Sequence, residues 1–312
     1  MTTKHAESGT MTGADSTGNG ESPATTPAPR SGSSANAATS TRTSGNAKSA
    51  PARRTGAARD VEMVACWVLF AAMIVLNTLA VFGVLAAAKH DGTAVSSWFT
   101  PDSYVQLVWI PVYALLAIWL VRLGNTKRKS KRLAKTPFGI MGLLFCLTAL
   151  ADIAWILSWT AVSYPLAVLF VLACTVLVGI LGFFSRRHDP SVWGWAPFSL
   201  FGSWMLVETV SDIFRAVVYY VSKDGAISGG AQAASTVVLV VLLLGLGILA
   251  KLKLHDWIFN LVVLWSTLGI ATHLMDVSKA TGVVLVILGT VAAAVTYIPW
   301  QRVSHRLDQA AR

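Results

Sequence analysis

Eight long apolar runs separated by short polar segments are the feature that most limits what this chain can fold into. About 20 apolar residues in a helix are enough to cross the ~30 Å hydrocarbon core of a bilayer. Each run therefore predicts one transmembrane helix, and the predicted fold class is an all-α, polytopic membrane bundle of about eight helices. The runs lie at residues 61–88, 104–122, 138–160, 163–184, 194–221, 233–251, 256–275 and 280–300.

The overall composition agrees with a membrane domain. Of the 312 residues, 54% are hydrophobic and only 13% are charged, and the mean hydropathy is +0.59. Such a chain is too apolar for an ordinary soluble domain. The three cysteines, Cys66, Cys146 and Cys174, lie inside apolar runs without a CxxC spacing. We therefore assign them no disulfide, metal or catalytic role.

Residues 1–60 form a region of different composition. They include no Val, Ile, Leu, Phe, Trp, Tyr or Cys, so they bury too little apolar surface to offset the entropy of ordering, and we predict a disordered cytoplasmic tail. A mitochondrial transit peptide is the alternative, and the acidic residues of the segment count against it. The other predicted boundaries are a transmembrane domain at 61–303, with a five-helix part at 61–221 and three additional spans at 233–300, and a short cytoplasmic tail at 304–312.

The basic residues alternate from loop to loop. Of the 25 Lys and Arg residues, seven precede the first span, seven lie at 122–135, and seven follow spans four, six and eight. The alternate loops contain only Lys89, Lys223 and Lys279. Because basic residues stay on the cytoplasmic side, both termini are predicted to be cytoplasmic. The net charge of +10 then reflects topology and anionic lipid, and no nucleic-acid partner is expected.

Polar side chains inside the spans follow the spacing of one helix face. Residues three, four and seven apart share a face, as Trp204, Glu208, Asp212 and Arg215 do in the fifth span. Asp212 and Arg215 are three residues apart and can pair directly. The stripes of the second and third spans consist of Gln106, Trp109 and Tyr113, and of Asp152 and Trp155.

The predicted orientation places these stripes near mid-membrane or in its outer half. Charges that face lipid are costly, so we expect the stripes to face one another around a polar or wet interior. Asp152, Glu208 and Asp212 share one arginine, Arg215, and three anions cannot all stay charged there. At least one is expected to bind a proton or a cationic group, and Glu208, which lacks a neighbouring partner in sequence, is the candidate. A purely structural ion pair of Asp212 and Arg215 is the alternative.

The segment WFTPDSYVQLVWIPVY combines Trp and Pro before the second span with aromatic residues inside it. Trp98 and Pro101 precede the span, and Trp109 and Tyr113 lie one turn apart within it. This segment resembles the loop and second helix of the TspO/translocator-protein family, the tryptophan-rich sensory proteins.

Two further segments resemble the same family. LADIAWILSW, with Trp155, is similar to its third helix, and APFSLFGSWMLVETVSDI, with Pro197, Trp204 and Thr209, is similar to its fifth. The resemblance covers residues 61–221, and an eight-span, more distant branch is the closer likeness.

The resemblance implies a helical bundle that holds a hydrophobic small molecule, such as a porphyrin, a sterol or a similar ring system, without enzymatic turnover. It also implies that residues 89–103 form a lid over the outer mouth. Asp152, Glu208 and Asp212 stand where the family has neutral residues, which suggests a ligand with a basic or hydrogen-bond-donor group.

We therefore predict an outer-half pocket with aromatic walls and acidic groups. No nucleophile–base pair or metal-ligand set lies near mid-membrane, so we predict no catalytic or metal-binding residues. The expected partners are the bilayer, a hydrophobic or amphiphilic small molecule, and a second copy of the chain, with spans six to eight as scaffold or oligomer face. The predicted ligand-binding residues are Trp98, Pro101, Gln106, Trp109, Tyr113, Asp152, Trp155, Trp204, Glu208, Asp212 and Arg215.

Two functions fit this pattern. The first is a small-molecule-binding or sensory protein of a bacterial plasma membrane. The alternative is a proton-coupled small-molecule transporter, because intramembrane carboxylates are the usual proton carriers in such proteins. An intramembrane enzyme is disfavoured by the missing catalytic groups.

Overall fold

The structure is a computed structural model, and the part of the chain that it describes begins within the predicted N-terminal tail. The predicted tail 304–312 and most of the predicted tail 1–60 lie outside the described residues. The described ranges are 50–85, 97–129, 139–221 and 227–298.

Eight long α-helices and one short 3₁₀ helix make up these ranges, in which there is no β-strand. This confirms the predicted all-α membrane bundle, and the helix bounds agree with the apolar runs to within several residues, except that α1 starts earlier. The helices are α1 Ala50–Val81, α2 Trp109–Lys129, α3 Ile140–Thr160, α4 Tyr164–His188, α5 Val192–Val221, α6 Gly229–Leu254, α7 Trp257–Val277 and α8 Lys279–Tyr297, with the 3₁₀ helix Ser103–Val108 directly before α2.

Seven of these helices are long and apolar enough to cross a membrane, judged by length and composition only, and α5 is the exception. With 30 residues α5 is long enough, but it carries Glu208, Asp212 and Arg215. The two carboxylates are only 7% and 2% exposed. Because α4 ends on one side of the layer and α6 begins on the other, α5 must cross it too, with its polar groups inside the bundle.

Successive helices run in opposite directions, so their ends gather at two levels. We call the level that contains Ser97–Asp102, with the buried Phe99, the Phe99 end. The opposite level contains the connection between α4 and α5, and we call it the Asp189 end. There the Arg122 guanidinium of α2 lies 2.6 Å from the Asp189 carboxylate.

Helix α5 is shared by two apolar cores. It packs on α4 and α2 on one side and on α7 on the other. The first core joins α1–α5 to Ile258 and Val262 of α7, and its members include Phe145, Phe201 and Trp204. The second core joins α6–α8 to Val207 of α5 and to Phe99. The three additional helices therefore share a second core, and α7 also contributes to the first.

Candidate functional site

A groove lies between α1 and the start of α2 at the Phe99 end. Helix α1 packs mainly on α3 and only lightly on α2, which leaves a space of about 420 Å³. This volume lies in the range of small-molecule pockets. The polar and aromatic side chains of its lining are Asn77, Thr78, Tyr104, Gln106, Trp109 and Tyr113.

The rim of the groove is apolar and open. Phe82, Leu107 and Ile110 line it and are 77%, 57% and 66% exposed. In a bundle that spans a bilayer, such surfaces contact lipid rather than water. The side of the groove therefore faces lipid.

The inner wall of the groove is aromatic and well packed. The Trp109 ring stacks on Tyr113 with 5.2 Å between ring centroids and 17° between ring planes. It also contacts Phe201 at 5.8 Å and Trp204 at 6.4 Å on α5. Because Trp109 is 6% and Trp204 0% exposed, the wall is part of the core and is held rigidly. Phe201, which was not among the predicted residues, and Trp204 support this wall from behind and do not line the groove.

Gln106 connects the groove to Glu208 of α5. Its Nε2 donates to Glu208 Oε1 at 3.3 Å, and its Oε1 accepts from Trp109 Nε1 at 3.1 Å. A carboxylate can only accept and an indole N–H can only donate, so both partners require the same amide orientation. The predicted stripes of the second and fifth spans therefore do meet, and one amide separates Glu208 from the groove.

Asn77 connects the groove to Asp152 of α3 in the same way. Its Nδ2 donates to Asp152 Oδ2 at 2.7 Å and to the Met73 carbonyl oxygen at 3.0 Å. Asp152 is 0% exposed, and no donor among the described residues reaches its Oδ1. Sequence reasoning left Asn77 out of the site. Its position, with Thr78, in the only polar pair in the middle of the predicted first span was the available signal.

Asp212 and Arg215 form a separate cluster that does not line the groove. Trp155 Nε1 donates to Asp212 Oδ2 at 2.6 Å, and Asp212 Oδ1 lies 3.6 Å from an Arg215 guanidinium nitrogen. The guanidinium also lies 4.4 Å from the centroid of the Trp159 ring and 3.5 Å from the Thr100 hydroxyl. The local pairing expected from their three-residue spacing is present.

The three carboxylates therefore differ in their partners. Asp212 has Arg215 beside it. Throughout the described ranges, no Lys or Arg lies within ion-pair distance of Asp152 or Glu208. No three His, Cys, Asp or Glu side chains in those ranges are grouped to hold a metal ion.

Two predicted pocket residues, Trp98 and Pro101, lie against the additional helices and not in the groove. The Trp98 ring is so close to Gly229 at the start of α6 that a Cβ there would lie 3.3 Å from Trp98 Cζ2. Pro101 lies beside Gly269 of α7, where a Cβ would come within 3.5 Å of Pro101 Cβ. A helix face can be read from sequence, but the helix that packs against a loop cannot.

The segment before the 3₁₀ helix is bonded to α5, α6 and α7. Ser211 donates to the Phe99 carbonyl oxygen at 2.8 Å, and the Asp102 amide donates to the Gly269 carbonyl oxygen at 3.1 Å. The Trp98 amide donates to Gln232 Oε1 at 3.4 Å. Residues 89–96 of the expected lid lie outside the described residues, and its remaining part is anchored to three helices.

Comparison with known proteins identifies one family. The family model for TSPO-like proteins matches residues 63–298. The match extends from α1 to the end of α8, so the three additional helices are part of the family pattern. No curated protein and no solved structure matches the chain.

Proposed function

This chain belongs to the family of TSPO-like proteins, and we propose that it binds a small hydrophobic or amphiphilic molecule in the groove between α1 and α2. The observation that carries the proposal is the rigid aromatic wall of Trp109 and Tyr113 beside two amides, Asn77 and Gln106, that hydrogen-bond to carboxylates. Apolar walls with a few fixed polar groups are typical of small-molecule sites.

The groove is amphipathic along its depth, which favours an amphiphilic ligand. Exposed apolar side chains such as Phe82 and Ile110 form the rim, whereas Asn77 and Gln106 supply polar groups backed by buried carboxylates. An apolar ring system would lie on Trp109, with its polar group directed toward the amides.

We also infer that the Asp189 end faces the cytoplasm. Arg122, Arg186 and Lys251 lie at this end of α2, α4 and α6, and Lys279 begins α8 at the opposite end. Basic residues are retained on the cytoplasmic side. The groove would then open in the outer half of the membrane, as the polar stripes predict. The bacterial plasma membrane is the location that the resemblance to tryptophan-rich sensory proteins supports.

Ligand binding is tested by tryptophan fluorescence on purified protein in lipid nanodiscs, with a porphyrin, a sterol and a basic amphiphile as probes. Trp109→Phe should weaken binding about two- to tenfold, because the smaller ring offers less contact area and lacks the indole N–H that donates to Gln106. The matched control is Trp193→Phe, because Trp193 is 48% exposed at the start of α5. The proposal fails if no probe binds above empty nanodiscs, or if affinities are the same in Trp109→Phe, Glu208→Gln and the unaltered protein.

A proton-coupled transporter is the second candidate. Asp152 and Glu208 favour it, because each is buried and one amide away from the groove, as a carboxylate that exchanges a proton during transport would be. Uptake of a bound probe into reconstituted vesicles under an imposed pH gradient, and its loss in Glu208→Gln, would establish transport. Binding of the probe without its uptake would support the binding function only and would contradict transport.

A further inference from the structure

The two amides that separate the groove from the buried carboxylates differ in the atoms they leave free for a ligand. This difference favours Asp152 over Glu208 as the carboxylate that influences binding. Gln106 has its carbonyl oxygen occupied by Trp109 and its amide nitrogen directed at Glu208. Asn77 instead donates from its amide nitrogen to Asp152 Oδ2 and to the Met73 carbonyl oxygen. In the described part of the chain nothing donates to its Oδ1.

The Asn77 side chain lines the groove, so its Oδ1 is the acceptor that remains for a ligand. An amide that donates to a carboxylate becomes a stronger acceptor at its oxygen, because hydrogen bonds in a chain polarise one another. Asp152 thus makes Asn77 a better acceptor for an N–H donor in the groove.

Among the described residues, the carboxyl group behind this acceptor has no cationic partner. Asp152 is fully buried, no Lys or Arg of the described ranges pairs with it, and one of its oxygens has no donor there. Tyr113, which also lines the groove, has a buried hydroxyl without a hydrogen-bond partner in the same ranges. A buried charge is costly unless it is paired, and a cationic ligand would supply the pair.

We propose that Asp152, acting through Asn77, makes the groove selective for amphiphiles whose polar head is a protonated amine. This proposal rests on the proposed binding function of the groove. Asp152 is the positioning and charge-supplying residue, and Asn77 contacts the ligand.

The probes that test it are 1-pyrenemethylamine, which is cationic at pH 7, and 1-pyrenemethanol, its neutral counterpart with the same ring. Binding to the full chain in nanodiscs of zwitterionic lipid is followed by energy transfer from tryptophan to pyrene. Partition into empty nanodiscs is subtracted. The amine should bind about tenfold or more tightly than the alcohol, because the attraction acts across a poorly solvated groove.

The variants locate the source of the preference. Asp152→Asn should lower the affinity for the amine about tenfold and so remove the preference, since the amide keeps the size of the side chain but not its charge. Asn77→Leu should also remove it and serves if Asp152→Asn fails to fold. The exposed acid at Asp276 gives the matched control Asp276→Asn, which should keep the preference.

The outcomes separate this inference from the function on which it rests. Equal affinity of the unaltered protein for the two probes, both weakened by Trp109→Phe, would overturn cation selectivity and leave the groove as a binding site. Loss of the preference in Glu208→Gln but not in Asp152→Asn would overturn the assignment to Asp152. Failure of both probes to bind would overturn both proposals.

Discussion

Trp155 donates its indole N–H to the Asp212 carboxylate across 2.6 Å and so joins α3 to α5 inside the bundle. Asp212 is 2% exposed and has Arg215 on its other oxygen. Hydrogen bonds to an ionised acceptor are stronger than neutral ones. This hydrogen bond between the third and fifth helices lies apart from the groove. Stability and binding can therefore be tested independently.

Replacing Trp155 with Phe should destabilise the protein without altering the groove. The variant keeps an aromatic ring but leaves Asp212 Oδ2 without its donor, which costs about 1–3 kcal/mol for a buried acceptor. Thermal unfolding in detergent should show a lower midpoint than that of the unaltered protein. Trp193→Phe is the control for loss of an exposed indole, and equal midpoints for the two variants would contradict the prediction.

Gly269→Ala should destabilise the contact between α7 and the 3₁₀ helix. A Cβ at Gly269 would overlap the side chain of Val105, which is fully buried and has few alternative rotamers. Overpacking of this kind costs about 1–3 kcal/mol. Because the same 3₁₀ helix carries Gln106, probe affinity should fall together with the unfolding midpoint.

Gly245→Ala is the matched control for this substitution, because a Cβ at Gly245 meets nothing within 4 Å. That variant should be at least as stable as the unaltered protein, since Ala is the better helix former. Val105→Ala combined with Gly269→Ala should recover part of the loss. Equal stability of the two glycine variants would show that α7 does not pack on the 3₁₀ helix in this way.

Oxidation should join Cys66 of α1 to Cys146 of α3. Their sulfur atoms lie 3.6 Å apart, and small rotations bring two such thiols to the ~2.05 Å of a disulfide. With copper phenanthroline as the oxidant, peptide mass mapping should find the two residues linked. The Cys174 thiol on α4 is directed at the Thr148 carbonyl oxygen, 3.7 Å away, and should stay unlinked. A Cys66–Cys174 link, or no link at all, would contradict the packing of α1 on α3.

Acid should remove the small contribution of Asp189 to stability. Hydrogen bonds from Ser191, and then from Arg122, hold the pKa of the Asp189 carboxyl below its ordinary value. A carboxyl with a lowered folded-state pKa stabilises the protein above its unfolded pKa of about 3.9 and loses that contribution as pH falls through the folded value.

The unaltered protein should therefore be slightly more stable than Asp189→Asn at pH 7, and the two should converge below about pH 4. The difference in free energy of unfolding at pH 7 should be about 0.2–1 kcal/mol, as for other exposed ion pairs. The Arg122 and Asp189 side chains are 44% and 35% exposed. High salt should reduce it. A difference that persists in acid would mean that Asp189 stabilises the connection without its charge.

The elements that sequence reasoning located correctly are those set by local properties. The run at 163–184 corresponds to α4, Tyr164–His188, and the run at 233–251 to α6, Gly229–Leu254. An apolar run long enough to cross the hydrocarbon core is visible in the sequence because the bilayer sets its length. The contact between Asp212 and Arg215 was predictable for a similar reason, since three residues along a helix bring two side chains to one face.

The pairings that define the site depend on residues far apart in the chain. Asn77 and Asp152 are 75 residues apart, and Gln106 and Glu208 are 102 apart. Helical periodicity shows which residues share a face but not which helix lies opposite. For that reason the sequence placed Trp98 in the pocket, whereas it packs at the start of α6.

By itself, the sequence determined the family resemblance, the number and extent of the helices, and the polar face of α5, because these follow from hydropathy and from the helical repeat. Tertiary structure alone decided that the space lies between α1 and α2, that Asn77 and Gln106 separate it from two carboxylates, and that α7 supports the 3₁₀ helix beside it. The physical reason is that these contacts depend on how the helices pack against one another, and their periodicities leave that packing open.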